Sequence, residues 1–170
     1  NLLGTDPRPR NPALADAMKR IGVVERSGRG VDKIYRGLLK FGRPAPDYSY
    51  TNAQSVVLRL PTSAADLDFC QQVLEQERRS GAPLPIDSLI ALTALRSAKR
   101  VTADELAEHI QRDAVSAKRT LEALTEAGLV EAHGTTRGRS YTLSASLYQA
   151  SGDKAAYTRQ AGFTPIQHEQ

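Results

Sequence analysis

Apolar residues recur at helical spacing along most of the chain. Leu14, Ala17, Met18 and Ile21 share one face of a helix that Asn11 can cap, that takes Pro12 at its first position and that Gly22 ends. Val31, Ile34, Leu38 and Phe41 form a second stripe, stopped at Gly42. A third helix carries Leu67, Cys70 and Leu74, with Phe69 and Val73 beside them. Ser63 and Asp66 have the spacing of a capping box, Arg78 and Arg79 suit the last turn, and Gly81 stops it. Between the second and third stripes, a Pro-rich loop leads to a β-branched run at 55–60 that predicts a strand ending at Pro61. Residues 81–85, rich in Gly and Pro, mark the best domain boundary.

Residues 84–147 follow a different order. A helix over 86–97 buries Leu89, Leu92 and Leu95, with Ile90 adjoining. Thr102 caps the next helix and Glu105 completes its box, while Leu106 and Ile110 point inward. After a turn at 111–113, Ala117, Leu121 and Leu124 line one face of a third helix. Gly128 permits a left-handed cap, and two strands, 129–133 and 139–143, flank a basic loop. Three helices and a two-stranded hairpin in this order predict a winged helix-turn-helix, a module that usually docks a helix into a DNA groove. The outward face of the third helix then offers Ser116, Lys118 and Arg119, with Arg112 in the turn and Arg137 and Arg139 at the wing tip. The alternative use of such a module is protein docking.

Charge sharpens that choice. The formal net charge is +4, with a sequence pI near 9.4, which permits a polyanionic partner. Residues 1–62 hold eleven Lys/Arg against five Asp/Glu, whereas residues 84–147 hold eight of each. The module with the DNA-binding pattern is therefore neutral, and strong non-specific binding by it alone is disfavoured, because phosphate neutralisation supplies most of that affinity. A single cysteine, Cys70, excludes an internal disulfide framework and suggests a reducing, cytoplasmic setting. Its place on an apolar helix face suits a buried structural thiol. No apolar run approaches the roughly 20 residues that span a bilayer. His109 and His133 lack ligand partners at metal-binding spacing, and no Ser/His/Asp set is evident, so neither metal nor catalytic residues are expected.

Gly28 and Gly30 flank Arg29 directly before the second helical stripe. Two glycines there serve either a tight turn that needs positive φ or a phosphate cradle at a helix N-terminus. The run from Arg10 through E-R-S-G-R-G-V-D-K-I, with the later G-R-P-A-P-D, resembles the C-terminal region of bacterial RecG-like "ATP-binding protein" regulators. In those proteins a Schlafen-type AlbA domain precedes a degenerate GHKL-type ATPase domain, and winged helices follow. The resemblance implies that Gly28, Arg29 and Gly30 belong to the last glycine box of the ATPase fold, facing nucleotide phosphates, and that 55–60 closes its sheet. It also implies that the magnesium- and adenine-binding elements lie upstream of Asn1, so ATP is expected in a longer parent and no cofactor in this chain alone.

The expected architecture is a mostly helical α+β chain. It comprises a partial GHKL-like α/β piece at 1–62, a linker helix at 63–83, a winged helix with a two-stranded wing at 84–147, and a helical tail at 148–170. The tail starts a further helix near Thr164 and is expected to lead into a second winged helix. The expected function is non-catalytic DNA-binding regulation within a larger protein, with duplex DNA as partner and a possible homo-oligomer through the linker helix or tail. The alternative is part of a nucleotide-binding GHKL-like ATPase whose winged helix docks or dimerises protein.

Overall fold

The computed structural model describes residues 8–24, 29–135 and 138–150, and about half of these are helical. Helix α1 (Pro12–Arg20) starts where Asn11 accepts a hydrogen bond from the Leu14 amide at 3.0 Å. Its apolar stripe, however, stays outside the core: α1 has no buried side chain, Met18 is half-buried, and Leu14 and Ile21 are 58% and 70% exposed. Helix α2 (Arg29–Leu39) begins two residues earlier than its stripe suggests and buries Leu38 and Leu39. Phe41, expected on the same inward face, is largely exposed, because the chain leaves the helix through Gly42.

The strand expected at 55–60 does not form. One isolated bridge, Asp47 to Arg59, is all the β structure there. The amides that a ladder would use are taken by side chains instead. Asn52 Oδ1 accepts from the Gln54 and Ser55 amides, and Thr51 Oγ1 accepts from the Val57 amide. Among the described residues the first sixty are thus two helices and a loop, not an α/β piece with a closing strand. The next cap also differs. Helix α3 (Leu67–Ser80) is capped by Asp66 itself, which accepts from the Phe69 amide at 2.9 Å, so Ser63 lies outside the cap. Gly81, at φ +70°, ends it, and Cys70 is buried with Phe69 and Val73.

The remaining elements are α4 (Ile86–Ala98), β1 (Arg100–Thr102), α5 (Ala103–Ile110), α6 (Ala114–Glu126), β2 (Val130–His133), β3 (Ser140–Leu143) and α7 (Ala145–Ala150). Thr102 and Glu105 form the full reciprocal capping box. The sheet has three antiparallel strands in the order β1-β3-β2, not two. Val101 pairs with Tyr141 on one side, and Ala132 pairs with Tyr141 on the other. A three-residue strand with one apolar side chain has no periodicity to read; pairing with β3 creates it.

Central strand β3 is buried at every position, including Ser140 and Thr142. Thr142 shares a 2.8 Å hydrogen bond with His133 Nε2, which satisfies its hydroxyl. The core gathers Leu89, Leu92 and Leu95 of α4, Leu106 and Ile110 of α5, and Leu121 and Leu124 of α6 under Tyr141 and Leu143. Leu39 of α2 and Phe69 and Val73 of α3 join the same cluster. Each buried leucine contributes about 1.5–3 kcal/mol relative to exposure. Helix α7 adds Leu147 and Tyr148, and the Tyr148 hydroxyl donates to the Lys99 carbonyl at 3.1 Å. Beyond residue 150 the expected helical tail, with its further helix near Thr164, lies outside the described residues.

Candidate functional site

Helix α5, the turn at 111–113 and helix α6 stand on the buried core, which fixes their mutual geometry. Gln111 makes the turn possible by taking a left-handed conformation at φ 53° and ψ 42°. Asp113 then caps α6: it accepts from the Ser116 amide at 2.8 Å and from the Ser116 hydroxyl at 3.0 Å. These bonds, the backbone one first, hold its carboxyl below the usual Asp value. The N-terminus of α6 is therefore already supplied with an anion. Ser116 spends its hydroxyl on the cap rather than pointing it outward.

The cations expected here divide into two groups. Arg112 Nε donates to Asp87 at 3.3 Å, so this side chain braces the turn against α4. Lys118 sits 3.8 Å from Glu122 one turn on, an exposed pair that water screens strongly. Arg119 is exposed on the outer face of α6, as is Val115 at 70%. Lys118, Arg119 and Val115 thus form a small mixed surface at the start of α6.

The hairpin beside α6 holds Arg139 differently from the exposed wing-tip residue the pattern suggests. It is half-buried, its guanidinium lies 5.5 Å from the Tyr141 ring centroid, and its Nε is buried without a hydrogen-bond partner among the described residues. Arg137 lies outside the described residues, as does Gly28. Arg29 is the exposed first residue of α2. Gly30 lies inside the helix, has no positive φ, and has open space where a Cβ would stand. Conformation and packing do not require glycine at 30, which removes the tight-turn explanation for that residue.

Sequence periodicity gave no sign of a second feature. A cleft of about 840 Å³ opens between the 42–45 loop, α4, β3 and α7. Arg96 and Lys99 line it, and neither belongs to a recognisable motif. The only hint is Gly42, whose neighbours become apparent only in three dimensions. Among the described residues, no group of three His, Cys, Asp or Glu side chains could hold a metal ion, and no helix is long and apolar enough to cross a membrane.

The described fold is α+β with a small three-stranded antiparallel sheet. Residues 1–60 match a family of ATPase type described as "Putative ATP-dependent DNA helicase recG C-terminal", and the match ends before α3. That segment is similar to a RecG-like, ATPase-associated region. Among solved structures, the chain is similar to the DIP2311 protein from Corynebacterium diphtheriae, with 24% identity and a TM-score of 0.64. The similarity covers 85% of this chain and 30% of that one, so the chain spans under a third of that protein's length. No curated protein matches the chain.

Proposed function

We propose that residues 84–147 are a winged helix and that the chain is the DNA-contacting, regulatory part of a longer ATPase-associated protein. The observation that carries this reading is the exposed start of α6, where Lys118, Arg119 and Val115 stand outward from a helix-turn-helix seated on a buried core. In helix-turn-helix docking these positions approach the bases and phosphates. The Asp113 carboxylate at the same helix end opposes a phosphate there. Affinity would therefore rest on a few placed side chains and on further copies or modules, not on a basic field. Fluorescence anisotropy with duplex DNA over a salt series tests it. Lys118→Ala with Arg119→Ala should weaken binding at least tenfold and make the salt slope shallower, in proportion to the phosphates that are no longer neutralised. Full affinity in the double variant sinks the assignment of α6.

A second reading is supported by the family match over residues 1–60. In it, Arg29 and the first amides of α2, with Gly28 before them, contact the phosphates of ATP held mainly by the rest of a longer protein, and the winged helix docks protein. ATP binding by that longer protein that disappears on Gly28→Val supports this reading. Unchanged ATP binding in the variant removes these residues from the site.

A further inference from the structure

The cleft between the 42–45 loop, α4, β3 and α7 has the size of a small-molecule site. Leu39 of α2, Ile90 and Ala94 of α4 and Leu143 of β3 give it mainly apolar walls. It also straddles a boundary. Leu39 and the 42–45 loop lie within the family-matched first sixty residues, whereas α4, β3 and α7 lie beyond them.

The polar groups of the lining are already engaged by the protein. Arg96 donates to the Gly42 carbonyl and pairs with Asp66. Lys99, which ends α4 at a left-handed φ of 67°, holds its ammonium 5.9 Å from the Tyr148 ring centroid and is engaged elsewhere in the fold as well. Thr93 and Ser97 stand one turn apart on α4 and both line the cleft. Each hydroxyl donates to the carbonyl four residues back, Thr93 to Leu89 at 2.9 Å and Ser97 to Thr93 at 3.2 Å. Among the described residues, no lining side chain leaves a buried nitrogen or oxygen unpaired. Both cations are thus committed, and the two hydroxyls offer a ligand only oxygen lone pairs.

We propose that this cleft binds a small neutral aromatic molecule. Its body lies along Leu39, Ile90, Ala94 and Leu143, and its single N–H donates to the Thr93 or Ser97 oxygen. The apolar walls exclude a ligand that is polar throughout, since its groups would lose water without gaining partners. They also disfavour a carboxylate or phosphate, because both cations are committed and the hydroxyl oxygens repel an anion. An aromatic body suits the lining better than an aliphatic one. Its π face attracts cations, as the Phe69 ring already does with Arg96. By touching the 42–45 loop and α4 together, such a ligand stabilises the folded chain.

Indole is the probe. Benzofuran, the same shape with oxygen in place of N–H, is its donor-free counterpart, and indole-3-carboxylate is its anionic one. NMR titration should show indole binding about fivefold more tightly than benzofuran, as one hydrogen bond provides, and more tightly than indole-3-carboxylate. Thr93→Val with Ser97→Ala removes both acceptors; it should bring indole to the affinity of benzofuran, which itself should not change. Ala94→Phe, which fills the cleft, should abolish binding of both. A cooperative melt checks that each variant folds; if Ala94→Phe does not, the double variant carries the test. No binding of indole, or equal affinity for indole and benzofuran, would overturn the proposal. So would a preference that survives in the double variant, indole binding unaffected by a folded Ala94→Phe, or tighter binding of the anion.

Discussion

The Arg96 guanidinium occupies the space in which a Cβ on Gly42 would stand, and from there it donates to the Gly42 carbonyl at 3.0 Å. The same guanidinium pairs with Asp66, the cap of α3, and lies 4.7 Å from the Phe69 ring centroid. One side chain of α4 therefore joins the end of α2 and the start of α3. Gly42 is glycine for two reasons: a φ of +67° and the presence of Arg96.

This relationship predicts non-additivity. Arg96→Ala should cost about 2 kcal/mol, since it strands a partly buried carboxylate and a carbonyl. Gly42→Ala should also destabilise, because Arg96 can move aside only by giving up those bonds. In the Arg96→Ala background, Gly42→Ala should cost about 1 kcal/mol less than in the unaltered chain, leaving the backbone penalty. Urea unfolding of the four proteins measures this; simple additivity would show that the two residues do not share the space.

Lys99→Gly should stabilise the fold by about 1 kcal/mol, because glycine adopts the observed backbone without strain. Tyr148→Phe should act in the opposite direction by about 1 kcal/mol, through loss of the hydrogen bond to the Lys99 carbonyl. Thermal denaturation that ranks Lys99→Gly below the unaltered chain would contradict the strained-backbone reading.

Acid should loosen the caps of α5 and α6. Hydrogen bonds from the Thr102 amide and then its hydroxyl lower the Glu105 pKa from 4.5, and those from Ser116 lower the Asp113 pKa from 3.8. A carboxyl lowered in the folded state adds stability above its unfolded pKa and loses it as pH falls through the lower folded value. Stability should therefore decline as pH drops below about 4.5. Glu105→Gln keeps a capping side chain but cannot titrate, so its Tm should fall less steeply with acid. Parallel Tm–pH curves for the two proteins would exclude Glu105 as a contributor.

The apolar stripe of α1 should be nearly silent in folding. Leu14→Ser and Ile21→Ser should each change stability by about 0.5 kcal/mol or less, as at ordinary surface positions. Leu92→Ala, at a fully buried position, should cost about 2–5 kcal/mol. A large loss on Leu14→Ser would place α1 in the core.

Periodicity and capping chemistry made most of the helices legible. Asn11, the box of Thr102 and Glu105, Gly81 and Gly128 all mark helix boundaries, because these residues satisfy or free the backbone locally. The same reasoning misplaced the start of α3 at Ser63, where two acceptors lay close together and only the backbone path decided between them. The cations of the candidate interface were visible as residue types. Their partners were not, because Asp87 lies far in sequence from Arg112, and the Asp113 carboxylate takes the Ser116 hydroxyl only once the helix has formed.

The sequence by itself determined where helices start and stop, since caps, glycines and the 3.6-residue repeat act over a few neighbouring residues. It also determined the succession of α5, a short turn and α6, for the same local reason. Tertiary structure alone decided the rest. Pairing with β3 turned Arg100–Thr102 into a strand, and side-chain capture of amides kept 55–60 from becoming one. Packing left the stripe of α1 exposed while drawing Leu39 into the core. The cleft at Lys99 is likewise a product of distant segments, from Leu39 to Tyr148, meeting in space.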